Sequence, residues 1–390
     1  MIELQGKRNS AIIYADKIDK ETKTQIAALL RLEALADSKV RIMPDTHSGR
    51  GTVVGTTLTL HGRGIPALLG VDLGCGMETV FLEETETDLA KLDRLIHEKV
   101  PAGAAVHDLP VADFPKLDSL HCIAEVNRER AIRSIGTLGG GNHFIELDKA
   151  EDGRLVLVIH SGSRQLGSDV ATYYKEQAYR YQCKKARRSA GGKGREDYAF
   201  KSARREQASI KVSRETAALE GELFQKYLHD LAIVQEYADL NRRTMAEIIC
   251  DGMGFHIRDR FACVHNYIDT ERMILRKGAI SARLDERVII PLNMRDGAII
   301  GKGLGNSDWN HSAPHGAGRV CSRTDAKFAY TVADYQSAME GIYTTTATEG
   351  SLDECPMAYK APERILDAIG DTVEVEQVVK PVYNFKASEM

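Results

Sequence analysis

The stretch Leu69-Gly70-Val71-Asp72-Leu73-Gly74-Cys75-Gly76-Met77 constrains this chain most. Three glycines bounded by apolar residues make a tight turn, and a carboxylate and a thiol three residues apart can both face one point within it. Asp72 and Cys75 are therefore candidate ligands of a divalent cation. Carboxylate offers a hard oxygen and cysteine a soft sulfur, and a thiolate can bridge two ions that a carboxylate and imidazoles flank. Such a cluster needs histidines from elsewhere in the chain. The competing reading is a glycine turn around a buried free cysteine, and the later histidine motifs weigh against it.

A chain of 390 residues with 43% hydrophobic content can bury a sizeable core, as one large domain or two ordinary ones. Its net charge of -4 argues against a general nucleic-acid coat, so any phosphate-backbone binding has to come from a local basic patch. Seven scattered cysteines without a CxxC pair suit reduced thiols. The N-terminus lacks a basic segment leading into an apolar run, and no stretch of eighteen apolar residues occurs. The expectation is a cytoplasmic protein with no membrane segment.

In order, Glu21–Leu35 predicts an amphipathic helix, and Val40–Gly51 a short strand leading into a loop that carries Asp45, His47 and Arg50. Thr52–Leu60, Ala67–Val71 and Glu78–Leu82 read as strands, and Thr87–Val100 as a helix. Leu155–Ile159 is an apolar run typical of a buried strand ending at His160, a position suited to a ligand or to a satisfied core histidine. Gly139-Gly140-Gly141 precedes Asn142, His143 and Glu146, where backbone amides could approach an anion or nucleotide, or simply form a flexible loop.

Arg180–Arg214 holds twelve Lys/Arg against three acids, with a loop-like centre at Ser189–Gly194 and helical flanks. In an acidic protein this is a footprint for a polyanion or else a solvated face. Thr216–Ile249 reads as helix, and Val288–Pro291 as strand. Finally, Ser312-Ala313-Pro314-His315-Gly316-Ala317-Gly318-Arg319 sets a histidine among small residues with an arginine four positions on. An imidazole nitrogen can attack phosphorus and carry it as a labile phosphoramidate, with the arginine offsetting charge. His315 is the candidate nucleophile.

PDTH, GVDLGCGM, GGGNHFIEL, IHSGSR, YLHDL, YADLNR, VHNYI, RKGAISA, SAPHGAGR and DECPMAYK stand in one order along nearly the whole chain. In this the chain resembles the RtcB RNA ligases, and a shorter bacterial branch of them. The resemblance implies an α/β fold with central β-sheets wrapped by helices, a single domain over 1–390 with a basic helical segment at about 180–250. It implies two manganese ions held by Asp72, Cys75, His143, His160 and His265, with Cys75 between them, and guanylylation of His315 by GTP. Guanine-nucleotide contacts then fall on Asn142, Glu146, Asn266, Pro291, Asn293, Gly316, Ala317, Gly318, Arg319, Tyr359 and Lys386. Arg164 matches an RNA-phosphate contact, and the charge of the basic stretch, rather than the resemblance, adds Lys184, Lys185, Arg187 and Arg188 as RNA-binding candidates. The chain departs from the family at Pro291-Leu292-Asn293-Met294-Arg295, which replaces PGSMG, and at SAPH in place of SASH.

The implied reaction joins RNA 3′-phosphate or 2′,3′-cyclic phosphate ends to 5′-hydroxyl ends, through an RNA-3′-pp-G intermediate. The implied substrates are tRNA or rRNA fragments in RNA repair, with a release-factor homologue as a partner. The alternative is a non-ligating protein of the same fold that binds or activates RNA ends in a guanine-nucleotide-dependent way.

Overall fold

A computed structural model describes residues 1–191 and 212–387. The chain opens with β1 (Ile2–Gln5), β2 (Ser10–Ile13), α1 (Lys20–Leu29), β3 (Val40–His47), β4 (Val54–Thr59), β5 (Arg63–Gly64) and α2 (Pro66–Leu69). Then come β6 (Gly76–Leu82), α3 (Leu89–Lys99), α4 (Arg128–Arg133), β7 (Phe144–Lys149), β8 (Leu155–Ser161) and α5 (Arg164–Gly191). After β9 (Leu219–Glu220) and the long α6 (Gly221–Met253) follow β10 (Ile257–Val264), β11 (Asn266–Asp269), β12 (Ile274–Lys277), β13 (Ala279–Ser281), β14 (Arg287–Asn293), β15 (Gly297–Gly303), β16 (Ser312–Pro314) and β17 (Val373–Lys386). The architecture is mixed α/β, as the sequence resemblance implies.

Six strands form one sheet in the order β1-β2-β3-β4-β12-β11, and seven form a second in the order β10-β6-β8-β7-β17-β15-β14. The second sheet curls onto itself, so that its centre is covered on both faces. Alternate residues of β8 prove it: Leu155, Leu157 and Ile159 join Leu92 of α3 and Met245 and Ile249 of α6, while Val156 and Val158 join Val288 and Ile299 of β14 and β15. A strand buried on both sides needs no polar alternation, which is why its sequence is a continuous apolar run. A separate core packs α1, α5 and the first half of α6 under the first sheet.

Four local expectations are revised. Ala67–Val71 is not a strand: Pro66 occupies the first helical turn, where its missing N–H is harmless, and Gly70 at φ +85° ends the helix. Pro44–His47 is not a loop but the end of β3, and the proline is tolerated because the β3–β4 ladder shifts register between Ile42 and His47. Helix α1, capped by Asp19, stops at Leu29, and the chain resumes only as a 3₁₀ turn at Glu33–Leu35. In the basic stretch, Ser189 to Gly191 continue α5 rather than forming a loop; 192–211, including the rest of the expected loop, lie outside the described residues. Among the described residues no helix is long and apolar enough to cross a membrane.

Candidate metal centre and nucleotide pocket

Cys75 immediately precedes β6, His160 is the penultimate residue of β8, and His265 immediately follows β10. The ladders pair Gly76 with both Ser161 and Val264, so all three side chains stand at one rim of the sheet. His143 joins them because the first residue of β7, Phe144, pairs with His160. Cys75 Sγ lies 3.4 Å from His143 Nε2 and 3.2 Å from His160 Nε2, and His160 Nε2 lies 3.0 Å from His265 Nε2. His160 Nδ1–H donates to the Asn142 carbonyl, which leaves the lone pair on Nε2.

Burial, then Arg164, lowers His143 to about 3. Burial and the neighbouring imidazoles hold His160 and His265 well below the ordinary histidine value. Burial and Asp72 push the Cys75 thiol up, so its ionisation calls for a cation beside the sulfur. Neutral imidazoles crowding one thiol form a nitrogen–sulfur donor set that fits a transition-metal ion. The Nδ1 atoms of His143 and His265 are buried without a hydrogen-bond partner. Asp72 lines the same cavity from the turn before Cys75, but the donors within 4.8 Å of one another are those of Cys75, His160 and His265.

His315 follows β16 and meets the cluster at a tilt, its ring 4.8 Å from that of His265 at 45°. Its Nδ1–H donates to Asp45 Oδ2 at 2.7 Å. Asp45, on β3, is fully buried, and its Oδ1 has no partner. This fixes the tautomer and leaves Nε2 as the lone-pair nitrogen. Gly318, at φ +73°, passes so near the Asp45 carbonyl that any Cβ would collide with it.

One cavity of about 1070 Å³ is lined by His143, His160, His265 and His315, while Cys75 and Asp45 are buried outside its lining. Of the sequence-derived candidates, Asp72, Asn142, His143, Glu146, His160, His265, Asn266, Pro291, Asn293, His315, Gly316, Ala317, Gly318, Arg319, Tyr359 and Lys386 line it. Glu146 on β7 accepts from Asn384 of β17 at 2.7 Å, and burial raises its carboxyl. Asn293 spends its oxygen on the N–H groups of Arg295 and Asp296, so its divergent segment is a closed turn, and the Pro291 carbonyl before it lies beside Gly316.

Three residues outside the candidate set organise this pocket. Glu354, 2% exposed, accepts from Lys386 at 2.7 Å, Arg323 at 2.7 Å, Arg319 at 3.2 Å and the Tyr359 hydroxyl at 2.5 Å. Asn241 and Arg242 on α6 form the floor. Asn241 accepts from the Gly136 and Thr137 N–H groups, and Arg242 donates to the carbonyls of Gly74 and Ser161, flanking Cys75 and His160. The YADLNR and DECPMAYK motifs contain all three, but nothing in their spacing discloses partners this distant.

Burial would raise the Glu354 carboxyl, yet Lys386, Arg323 and Arg319 outweigh it and hold it at about 2 against an ordinary 4.5. A carboxyl with a lowered folded pKa adds stability that is complete above its unfolded value and drains as pH falls toward the folded one. The contribution is on the order of 3 kcal/mol. Denaturant unfolding of parent and Glu354→Gln should therefore differ most above about pH 5 and converge toward about pH 2. A gap independent of pH would refute the ion-pair account.

Two further groups stand apart from the cavity. Arg164, at φ 55°, lies behind the glycine loop, donating to Thr137 Oγ1 at 3.0 Å and the Gly103 carbonyl at 2.6 Å. Gly139 allows that approach, since a Cβ there would strike both the Arg164 guanidinium and the His143 ring. Lys184, Lys185, Arg187 and Arg188 are exposed on the second half of α5, whose first half lines the cavity with Thr172 and Lys175. Lys185 pairs with Glu220 at 2.7 Å; Lys184, Arg187 and Arg188 make no ion pair among the described residues.

The family model described as tRNA-splicing ligase RtcB matches residues 25–120 and 113–387. The chain is 31% identical over 384 residues to the RNA-splicing ligase RtcB of Escherichia coli strain K12, with 88% of each chain covered. Another Escherichia coli strain has an RNA-splicing ligase RtcB1 that is 32% identical over the same share of both chains. The tRNA-splicing ligase RtcB of Aeropyrum pernix is 26% identical over 461 residues, covering 92% of this chain and 90% of that one. The chain belongs to the RtcB family.

Proposed function

We propose that this chain is an RNA ligase that seals a 3′-phosphate to a 5′-hydroxyl, using GTP and two manganese ions. The observation that carries the reading is the His315–Asp45 pair facing a thiol–imidazole cluster across one cavity. Asp45 holds the Nδ1 proton, and Nε2 attacks the α-phosphorus of GTP. A P–N bond forms as the bond to the β-phosphate oxygen breaks, and pyrophosphate leaves. An oxygen of the RNA 3′-phosphate then takes GMP from His315, giving RNA-3′-pp-G. The 5′-hydroxyl attacks the RNA phosphorus, GMP leaves, and the strand is joined. A cyclic phosphate enters after hydrolysis to the 3′-phosphate.

Manganese bound by Asp72, Cys75, His143, His160 and His265 would polarise phosphoryl oxygens and offset their charge. Cys75 Sγ, 3.4 Å from His143 Nε2 and 3.2 Å from His160 Nε2, would supply the negative charge that the ions share. Arg319, Tyr359, Lys386, Glu146 and Asn266 would bind the guanine nucleotide. Repair of broken tRNA or rRNA in the cytoplasm, beside a release-factor homologue, belongs to the same proposal and rests on the sequence resemblance.

A stem-loop carrying a nick with 3′-phosphate and 5′-hydroxyl ends is the test substrate. Joining that requires GTP and manganese supports the proposal. RNA that gains a 3′ guanylate cap but is never joined would instead make the protein an end-activating enzyme.

The basic half of α5 begins roughly 13 Å along the helix from Lys175 at the cavity wall. RNA leaving the cavity can therefore run along it. Replacing Lys184, Lys185, Arg187 and Arg188 with Ser should weaken RNA binding and flatten its salt dependence, by a slope change of about one per lost phosphate contact. Guanylylation should be unaffected. Parallel salt curves for parent and variant would end the RNA-binding claim.

A further inference from the structure

Outside the cavity, a second group of potential metal donors joins α6 to a segment more than a hundred residues earlier. His229 and Asp230 are consecutive on α6, and His121 lies between two 3₁₀ turns, Pro115–Ser119 and Ile123–Glu125. Donor atoms of His121, His229 and Asp230 all lie within 4.8 Å of one another. The site is about 18 Å along α6 from Arg242, which supports the Cys75 turn.

The carboxylate is rigid. Asp230 is fully buried, with Oδ1 accepting from the His121 N–H at 2.9 Å and Oδ2 accepting from the Cys122 N–H at 3.1 Å and the Tyr174 hydroxyl at 2.8 Å. His229 Nδ1 lies 3.0 Å from Asp230 Oδ1. Two donors bound to one ion at roughly 2.0–2.2 Å sit about 3.0–3.5 Å apart, so this pair already has the spacing of cis ligands.

The imidazoles, by contrast, are exposed, and only that of His229 is held, through its Nδ1 contact with Asp230. Their centroids are 4.8 Å apart at a tilt of 54°, and the His121 ring makes no hydrogen bond among the described residues. Backbone hydrogen bonds from His121 and Cys122 bring that segment to the Asp230 carboxylate, and the His121 ring then stands beside His229 with both ring nitrogens unspent. We propose that His121, His229 and Asp230 form a second, separate metal site that takes a zinc-type transition-metal cation. Two borderline nitrogens and one oxygen, with a position open to water, favour zinc, nickel or copper over magnesium. Bound metal would pin the segment around His121 to α6 and so stabilise the fold by mass action.

The test uses the full chain stripped of metal and then loaded with zinc, because the nitrogen–sulfur donors of the cavity also suit zinc. Bound zinc is counted in the parent and in a His121→Ala/His229→Ala variant, whose substitutions fall on exposed side chains and leave the cavity untouched. The variant should hold one zinc fewer. In the parent, zinc should slow diethyl pyrocarbonate modification of His121 and His229 several-fold, mapped by mass, while His256, with its side chain 82% exposed, reacts at an unchanged rate. Equal zinc content in both proteins, or modification of His121 and His229 that ignores zinc, would overturn the proposal. Protection by magnesium at the same concentration would overturn the assignment to a transition metal.

Discussion

Incubated with labelled GTP and manganese, the parent protein should acquire a covalent GMP that maps by mass to His315, and His315→Asn should acquire none. Of the imidazoles around the cavity, His143, His160 and His265 turn their Nε2 atoms into the cluster, whereas His315 donates its Nδ1–H to Asp45. The His315 side chain is 19% exposed, which is enough to meet a phosphate while the carboxylate behind it stays dry. Asp45→Asn separates positioning from chemistry. The amide can present its NH₂ to Nδ1 and stabilise the opposite tautomer, so labelling should slow by up to about 10⁴-fold, the loss that a wrong tautomer brings to a catalytic histidine, while bound manganese stays the same. Label in His315→Asn equal to the parent would place the nucleophile elsewhere. An Asp45→Asn protein that labels normally would leave Asp45 a structural residue.

The legible parts of the fold were those in which burial left a periodic mark. β8 announced itself because both of its faces are covered, and His160 was legible as the point where the apolar run ends. The Asp72–Cys75 turn was legible because three glycines mark a chain reversal. Asp45 was misplaced for the opposite reason. Proline and glycine punctuation made its segment look like a loop, whereas Pro44 falls where the β3–β4 ladder skips. Its partner His315 is 270 residues away, so no local pattern joins them.

His265 shows the same limit. It came from family resemblance alone, and what brings it to the thiol is three strands ending level with one another. Glu354 carried no periodic signal, because a buried carboxylate makes sense only once the four donors around it are assembled. The organising principle of the site is thus sheet register and long-range charge pairing, neither of which a short window of sequence contains.

Cys75→Ala should lose manganese and ligase activity together while keeping its fold. The truncation removes one sulfur at a position 1% exposed. A void of that size costs about 1–3 kcal/mol, less than the roughly 5–15 kcal/mol that holds a native protein together. The electrostatic loss is larger. Two divalent cations sharing a low-dielectric cavity repel strongly, and a thiolate between them supplies the negative charge that offsets it. The surrounding imidazoles are neutral donors, so apart from Asp72 none of the proposed ligands replaces that charge. Cys75→Ser discriminates packing from charge: it nearly restores the volume, but a hydroxyl ionises far less readily than a thiol, so it should bind manganese almost as poorly as Cys75→Ala. Metal analysis of the three proteins, with far-ultraviolet circular dichroism to verify folding, should show at least one manganese fewer per chain in both variants. Full metal content and activity in Cys75→Ala would refute the bridging role and leave Cys75 as a core residue of the glycine turn.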